Sequence, residues 1–198
     1  MSTADLFVVK KIRLVHPYQG IDPAKKKAVK NEIERYKMLD HEHIVKYYGC
    51  EIIDNNIFCI YLEYMAGRSL IDQYNQIKEP TCKHYIRQVL KALEYLHREK
   101  IIHGDLKGGN VLLDKDGQNI KLCDMGNSFK INAGQSIQSV KSFINGTLAW
   151  MAPENYKSKI GRKSDIWSLG CLLIEMLTGM SPWSQKIMDS QHSAIIEL

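Results

Sequence analysis

The segment Ile101-Ile102-His103-Gly104-Asp105-Leu106-Lys107-Gly108-Gly109-Asn110-Val111-Leu112-Leu113 constrains the fold most strongly. Apolar runs rich in isoleucine, valine and leucine bracket a glycine-rich bend that holds a carboxylate, an ammonium and an amide. Polar groups delivered by buried strands need partners, so the bend must either pair them internally or present them to a ligand. The grouping suits phosphoryl transfer. An aspartate orients and accepts the proton of an attacking hydroxyl, a lysine offsets charge on the transferred group, and an asparagine completes a metal shell. Downstream, Ile120 to Cys123 reads as a strand ending in Asp124-Met125-Gly126. A carboxylate at a strand end, before a glycine that lets the chain turn, is well placed to hold Mg²⁺.

Composition narrows the remaining classes. A chain of 198 residues, 44% hydrophobic and 25% charged, fits one globular domain with a sizeable core. The most apolar run, Leu169 to Met176, is interrupted by Glu175 and is too short to span a membrane. Met1 to Asp5 lacks the basic and apolar regions of a signal peptide. The five cysteines are scattered, without a CxxC pair, which predicts reduced thiols in the cytoplasm and neither disulfides nor a zinc site. The net charge of +5 arises from lysines and arginines interleaved with acids, with no aromatic-basic stripe, so no nucleic-acid partner is expected.

Pattern along the chain predicts strand, helix, strand, strand, then a helix-rich part. Leu6 to Leu14 is apolar and β-branched. Asp22-Pro23 caps a helix to about Leu39, with Val29, Ile33 and Tyr36 on its inner face. Ile44 to Ile53 and Ile57 to Tyr64 read as strands joined by Asp54-Asn55-Asn56. Thr81 to Glu99 is an amphipathic helix with Tyr85, Val89, Leu93 and Leu96 on its buried stripe. The turn Asp114-Lys115-Asp116-Gly117 is read as hairpin punctuation and not as a calcium loop. Asn127 to Gly146 is a long polar stretch. Ile166 to Leu177 is apolar nearly all round and is expected to be fully buried, with Gly179 as its stop. The class is α+β, with a hinge near Glu63 to Gly67.

These residues together resemble the protein-kinase family. His103-Gly104-Asp105-Leu106-Lys107-Gly108-Gly109-Asn110 resembles its catalytic loop, and Asp124-Met125-Gly126 its metal-binding D-F-G. Phe7-Val8-Val9-Lys10 resembles V-A-I-K, and Glu32 sits on an otherwise apolar helix face as that lysine's expected partner. Gly146-Thr147-Leu148-Ala149-Trp150-Met151-Ala152-Pro153-Glu154 is similar to the end of the activation segment. Lys163-Ser164-Asp165-Ile166-Trp167-Ser168-Leu169-Gly170 is similar to the start of the central helix, whose aspartate (here Asp165) braces the catalytic loop.

The resemblance implies a two-lobed fold over residues 1–198, with the small lobe to about 64 and the large lobe from 68. It implies Asp105, Lys107 and Thr147 as catalytic residues and Asn110 and Asp124 as Mg²⁺ ligands. Lys10, Glu32, Leu62, Glu63, Met65 and Leu112 would form the ATP site, with Leu62 as gatekeeper and Glu63 and Met65 at the hinge. Tyr36, Tyr47, His103 and Met125 would stack as a hydrophobic spine. Lys107 with Thr147 fits serine/threonine kinases. Ile44 to Cys50, the Lys-Gly-Gly-Asn loop and Gly161 to Trp167 look most like MAP kinase kinase kinases of the MEKK type, whose protein substrate would be a MAP kinase kinase.

Departures from the family pattern leave a second reading open. The resemblance implies a domain truncated at both ends, without the G-x-G-x-x-G loop and the last helices, whose arginine would pair with Glu154. The small sheet lobe would be incomplete and the helical lobe partial. Gly104 stands where an arginine that binds activation-loop phosphate is usual, so switching by phosphorylation is expected to be weak. The alternative is a truncated or degenerate kinase acting as a non-catalytic binding or regulatory module.

Overall fold

The computed structural model describes residues 6–16, 20–54, 56–131, 137–139, 147–157 and 159–183. Met1 to Asp5, Asn55, Gly146 and much of the polar stretch after Asn127 lie outside the described residues. The first described elements are β1 (Phe7–Arg13), the short pair β2 (Val15–His16) and β3 (Gly20–Ile21), and helix α1 (Pro23–Met38). Asp22 caps α1 by accepting from the N–H groups of Ala24 at 2.9 Å and Lys25 at 3.2 Å. Pro23 fits the first turn, where its missing N–H is not needed. Val29, Ile33 and Tyr36 face inward as expected, together with Glu32.

β4 (Tyr47–Ile53) and β5 (Ile57–Glu63) complete an antiparallel sheet in the order β1-β5-β4. The central strand carries the buried Phe58, Cys59, Ile60 and Leu62, and its register sets Lys10 opposite Ile60. The strand expected from Ile44 starts only at Tyr47. Ile44 instead forms a parallel bridge to Leu122: the N–H of Val45 donates to Leu122 O and the N–H of Leu122 to His43 O, each at 2.9 Å. The loop after α1 is thereby tied to the helical part of the molecule.

Beyond the hinge, a 3₁₀ turn (Leu70–Gln76) leads to α2 (Glu79–Arg98), which buries Cys82, Tyr85, Val89, Ala92, Leu93 and Leu96. The strands β6 (Ile101–Ile102), β7 (Val111–Leu113), β8 (Ile120–Leu122) and β9 (Phe129–Lys130) form two antiparallel pairs, β6 with β9 and β7 with β8. In the β7–β8 turn, Asp114 accepts from Gln118 N–H at 2.8 Å and Asn119 Nδ2 at 2.6 Å, which is hairpin punctuation. The polar stretch after Asn127 is not a uniform loop. It contains β9 and β10 (Ile137–Ser139), and β10 pairs with β11 (Lys159–Gly161).

Among the described residues, α3 (Pro153–Tyr156) starts at the end of the activation-segment motif and α4 (Arg162–Thr178) comes after it. Gly179 ends α4 in the left-handed region, φ 68°, and donates its N–H to Glu175 O at 2.9 Å. The expectation of a fully buried α4 fails: Ile166, Leu173, Ile174 and Leu177 are exposed. The inner stripe, which packs toward α2 and the 3₁₀ turn Leu148–Trp150, carries Ser164, Asp165, Ser168 and Glu175 beside Leu169, Leu172 and Met176. Composition marked the helix as apolar without saying which face would receive neighbours. One apolar cluster then runs from Val29 and Tyr36 through Ile60 and Leu62 to Leu93, Leu122 and Leu172, joining sheet and helices, and a smaller one gathers Ile102, Ile131 and Ile160.

The hinge is sterically closed at Gly67. A Cβ there would stand 2.1 Å from Asp114 O and 2.8 Å from Leu113 Cβ, and the Gly67 N–H donates to Leu113 O at 2.9 Å. Since backbone atoms cannot move aside cheaply, Gly67→Ala should destabilise the protein by about 1–3 kcal/mol. The effect should appear as a lower urea midpoint with unchanged slope. An unchanged midpoint would show that the hinge yields freely.

Candidate active site

Three segments bring the first charged cluster together. β1 delivers Lys10, α1 delivers Glu32, and the turn after β8 delivers Asp124. Lys10 Nζ donates to Glu32 Oε1 at 2.8 Å and to Asp124 Oδ1 at 2.7 Å. Burial disfavours the Lys10 ammonium, but the two carboxylates outweigh it and hold its pKa above the ordinary lysine value. Burial likewise pushes the Asp124 carboxyl up, and the Lys10 charge more than reverses this, leaving it below the usual carboxylate range. Asp124 adopts a left-handed conformation, φ 60°, that aims its Oδ1 back at the Gly126 N–H, 3.2 Å away. Tyr36 fixes this turn from α1, its hydroxyl accepting from the N–H groups of Asp124 at 3.0 Å and Met125 at 3.3 Å. Cys123, just before it, is pushed up by burial to about 12 and stays a thiol.

The second cluster surrounds Asp105, which is 7% exposed. Its Oδ1 accepts from Thr147 N–H at 3.1 Å and Thr147 Oγ1 at 3.0 Å. Its Oδ2 accepts from Lys107 Nζ at 3.0 Å, Asn110 Nδ2 at 3.1 Å and Asn127 Nδ2 at 3.3 Å. Lys107 Nζ also donates to Thr147 Oγ1 at 2.5 Å. Asn110 donates its NH₂ to Asp105 O as well, at 2.7 Å, so its amide oxygen is the atom that could meet a cation. The chain thus collects Asp105, Lys107, Asn110 and Thr147 in one network, with Asn127 as a member that sequence reasoning missed.

Behind this network lies a second tier of anchors. Asp165, 1% exposed, accepts from the N–H groups of His103 and Gly104, both at 3.0 Å, and lies 2.7 Å from His97 Nε2. Removing it would orphan two backbone donors and the histidine, so Asp165→Ala should cost about 3 kcal/mol in urea unfolding; a loss near zero would refute the bracing role. Gly104 itself has φ +76°, and a Cβ there would meet Asn127 O at 2.7 Å, so an arginine could not enter without strain. His103 accepts from Asp105 N–H at 3.3 Å on Nδ1 and faces Cys123 O at 3.2 Å with Nε2, which assigns the proton to Nε2.

Glu175 accepts from Gly108 N–H at 3.1 Å and Trp150 Nε1 at 3.0 Å, linking α4 to both the glycine-rich bend and the segment Leu148–Trp150. A lone carboxylate in the most apolar run of the chain was its signal in the sequence. Arg35 donates to Met125 O at 3.0 Å, and nothing in its local pattern announced it.

Other expected positions are less uniformly met. Tyr36 and Tyr47 stack with centroids 6.2 Å apart, and Met125 and His103 are fully buried. Leu62 and Met65 are buried at the hinge, and Leu112 is half-buried and packs against the main core. The Glu63 N–H donates to Lys46 O at 2.9 Å, so that donor is already used. Glu154 departs from the expected unpartnered buried carboxylate: it is half-buried and accepts from Ser164 Oγ at 3.1 Å.

Comparison with known proteins agrees with this geometry. The family model described as protein kinase domain matches residues 1–198. The serine/threonine-protein kinase BCK1/SLK1/SSP31 of Saccharomyces cerevisiae is 42% identical over 192 residues, covering 93% of this chain and 13% of that protein. Mitogen-activated protein kinase kinase kinase 3 of Mus musculus is 43% identical over 168 residues, covering 80% of this chain and 26% of that protein. The mitogen-activated protein kinase kinase kinase A of Dictyostelium discoideum is 39% identical over 190 residues, covering 92% of this chain and 19% of that protein. The chain therefore spans about a quarter or less of the length of these relatives.

Proposed function

The chain belongs to the protein kinase family, and from that premise we propose that it moves the γ-phosphoryl of ATP onto a serine or threonine hydroxyl of a protein. The observation that supports this most is the assembly of two clusters, Lys10–Glu32–Asp124 and Asp105–Lys107–Asn110–Thr147, from segments up to 114 residues apart. In this reading Asp105 orients the attacking hydroxyl and accepts its proton. Lys107 offsets charge on the transferred group, and Thr147 holds both side chains in register. Lys10, kept charged and aimed by Glu32, binds the α/β-phosphates. Leu62, Leu112 and the backbone of Glu63 and Met65 hold the adenine. Asp124 and the amide oxygen of Asn110 form an all-oxygen donor pair that suits Mg²⁺, a hard cation taking few protein ligands and completing its shell with phosphate and water. When bound, the ion would neutralise phosphate charge.

The finer reading is a MAP kinase kinase kinase acting on a MAP kinase kinase, supported by the names of two of these relatives. Residues 1–198 would act as one catalytic domain, sheet-rich to about 64 and helical from 68. A cytoplasmic setting is supported by five free cysteines. Among the described residues no helix is long and apolar enough to cross a membrane. The test is incubation with γ-labelled MgATP and a catalytically inactive MAP kinase kinase. Label on serine or threonine is expected. No label in the presence of tight MgATP binding would favour the non-catalytic reading, and label on tyrosine alone would overturn the specificity.

A further inference from the structure

A single carboxylate at the hinge gathers three segments that otherwise belong to different parts of the molecule. Glu63 Oε2 accepts from Lys121 Nζ at 2.9 Å and from the Lys46 N–H at 2.9 Å. Lys121 lies in the middle of β8, the strand that runs into Asp124, and its neighbour Leu122 exchanges backbone hydrogen bonds with His43 and Val45. The loop after α1, the end of β5 and the strand before Asp124 are thus joined around one ion pair. We propose that Lys121 is a positioning residue: by pairing with Glu63 it clamps the hinge to the strand that carries Asp124, and so sets the span of the nucleotide cleft.

The physical case rests on where the pair sits. The Lys121 and Glu63 side chains are only 21% and 23% exposed, so water screens them less than a surface pair. The carboxylate also accepts a backbone N–H, which fixes its direction, and a charge-assisted bond of fixed direction resists being stretched. Opening the molecule at the hinge would separate Glu63 from β8 and lengthen this contact. A nucleotide in the proposed site must meet the hinge backbone at one end and Asp124 at the other. Holding that span in advance lowers the ordering cost of binding and leaves the groups around Asp105 untouched. Lys121 should therefore act on nucleotide affinity and not on the chemical step.

The pair can be broken without unfolding the protein. A cavity of about 440 Å³, lined by Glu42, His43, Glu63, Tyr64 and Lys121 among others, opens beside it, so water can reach Glu63 once Lys121 is neutral.

The experiment compares the wild type with Lys121→Gln and with the charge-preserving Lys121→Arg, using amide hydrogen exchange and MgATP titration alongside steady-state kinetics. In Lys121→Gln, exchange should quicken in the peptides covering 62–66 and 120–124, with or without nucleotide. Affinity for MgATP should fall and its KM rise about three- to tenfold, with kcat held within about twofold, the scale of one charge-assisted contact. Lys121→Arg should restore both. Unchanged exchange at the two segments overturns the clamp, as does a loss of kcat at constant KM or a rise in kcat. The nucleotide arm rests on the kinase reading. Should the wild type bind no MgATP, that reading fails while the exchange comparison still decides the clamp.

Discussion

Asp105→Asn should reduce phosphoryl transfer by about a thousandfold or more while leaving MgATP affinity within about threefold, the loss expected when a general base becomes a group that cannot take a proton. The replacement is nearly isosteric, so packing around the 7% exposed side chain is retained. Its electrostatics are not. Among the described residues the carboxylate accepts from Lys107, Asn110, Asn127 and both the N–H and hydroxyl of Thr147. An amide NH₂ in that place would face mostly donors, since the Thr147 hydroxyl that could accept already takes a bond from Lys107, and Lys107 would lose its counter-charge. Among the described residues Lys10 pairs with Glu32 and Asp124 and not with Asp105, which is why nucleotide binding should survive. Steady-state turnover and nucleotide titration on the same preparation separate the two effects. Turnover equal to the wild type would remove Asp105 from the role of base.

Asp124→Ala should abolish the Mg²⁺ dependence of nucleotide binding and weaken binding in the presence of Mg²⁺ by about tenfold or more, as expected where a carboxylate supplies the only charged protein ligand. The side chain is 40% exposed and still lies 2.7 Å from Lys10 Nζ, so it is open to an incoming cation yet already aimed. Removing it leaves Lys10 paired with Glu32 alone at 2.8 Å. The lysine therefore stays in place to meet phosphate, and some metal-independent affinity should remain. Titrations with and without Mg²⁺ should converge in the variant. Metal-dependent binding that persists would put the cation on other ligands.

The particular residues divide sharply in how far local sequence exposed them. Asp22 and Pro23 announced the start of α1, and the 3.6-residue spacing of Tyr85, Val89, Leu93 and Leu96 announced the buried side of α2. Glu32 was legible as an acid on an apolar face, which needs a partner. Asn127 was not, since an asparagine after a glycine usually serves a turn, and only its 3.3 Å approach to Asp105 gives it a part. Arg35 looked like one more solvated cation on a lysine-rich helix. Ile44 looked like a strand residue, yet its bridge goes to Leu122 and not to β5.

By itself the sequence determined the caps, the amphipathic faces, the turns and the identity of the reactive groups. Those features depend on interactions within about one or two turns of chain, where sterics and periodicity act directly. Tertiary structure alone decided which face of α4 is covered and that Glu175 reaches the glycine-rich bend. It also decided that Glu63 and Lys121, 58 residues apart, meet across the hinge. A buried charge demands a partner but does not name one; the partner is chosen by the packing of the core that brings distant segments within hydrogen-bond reach.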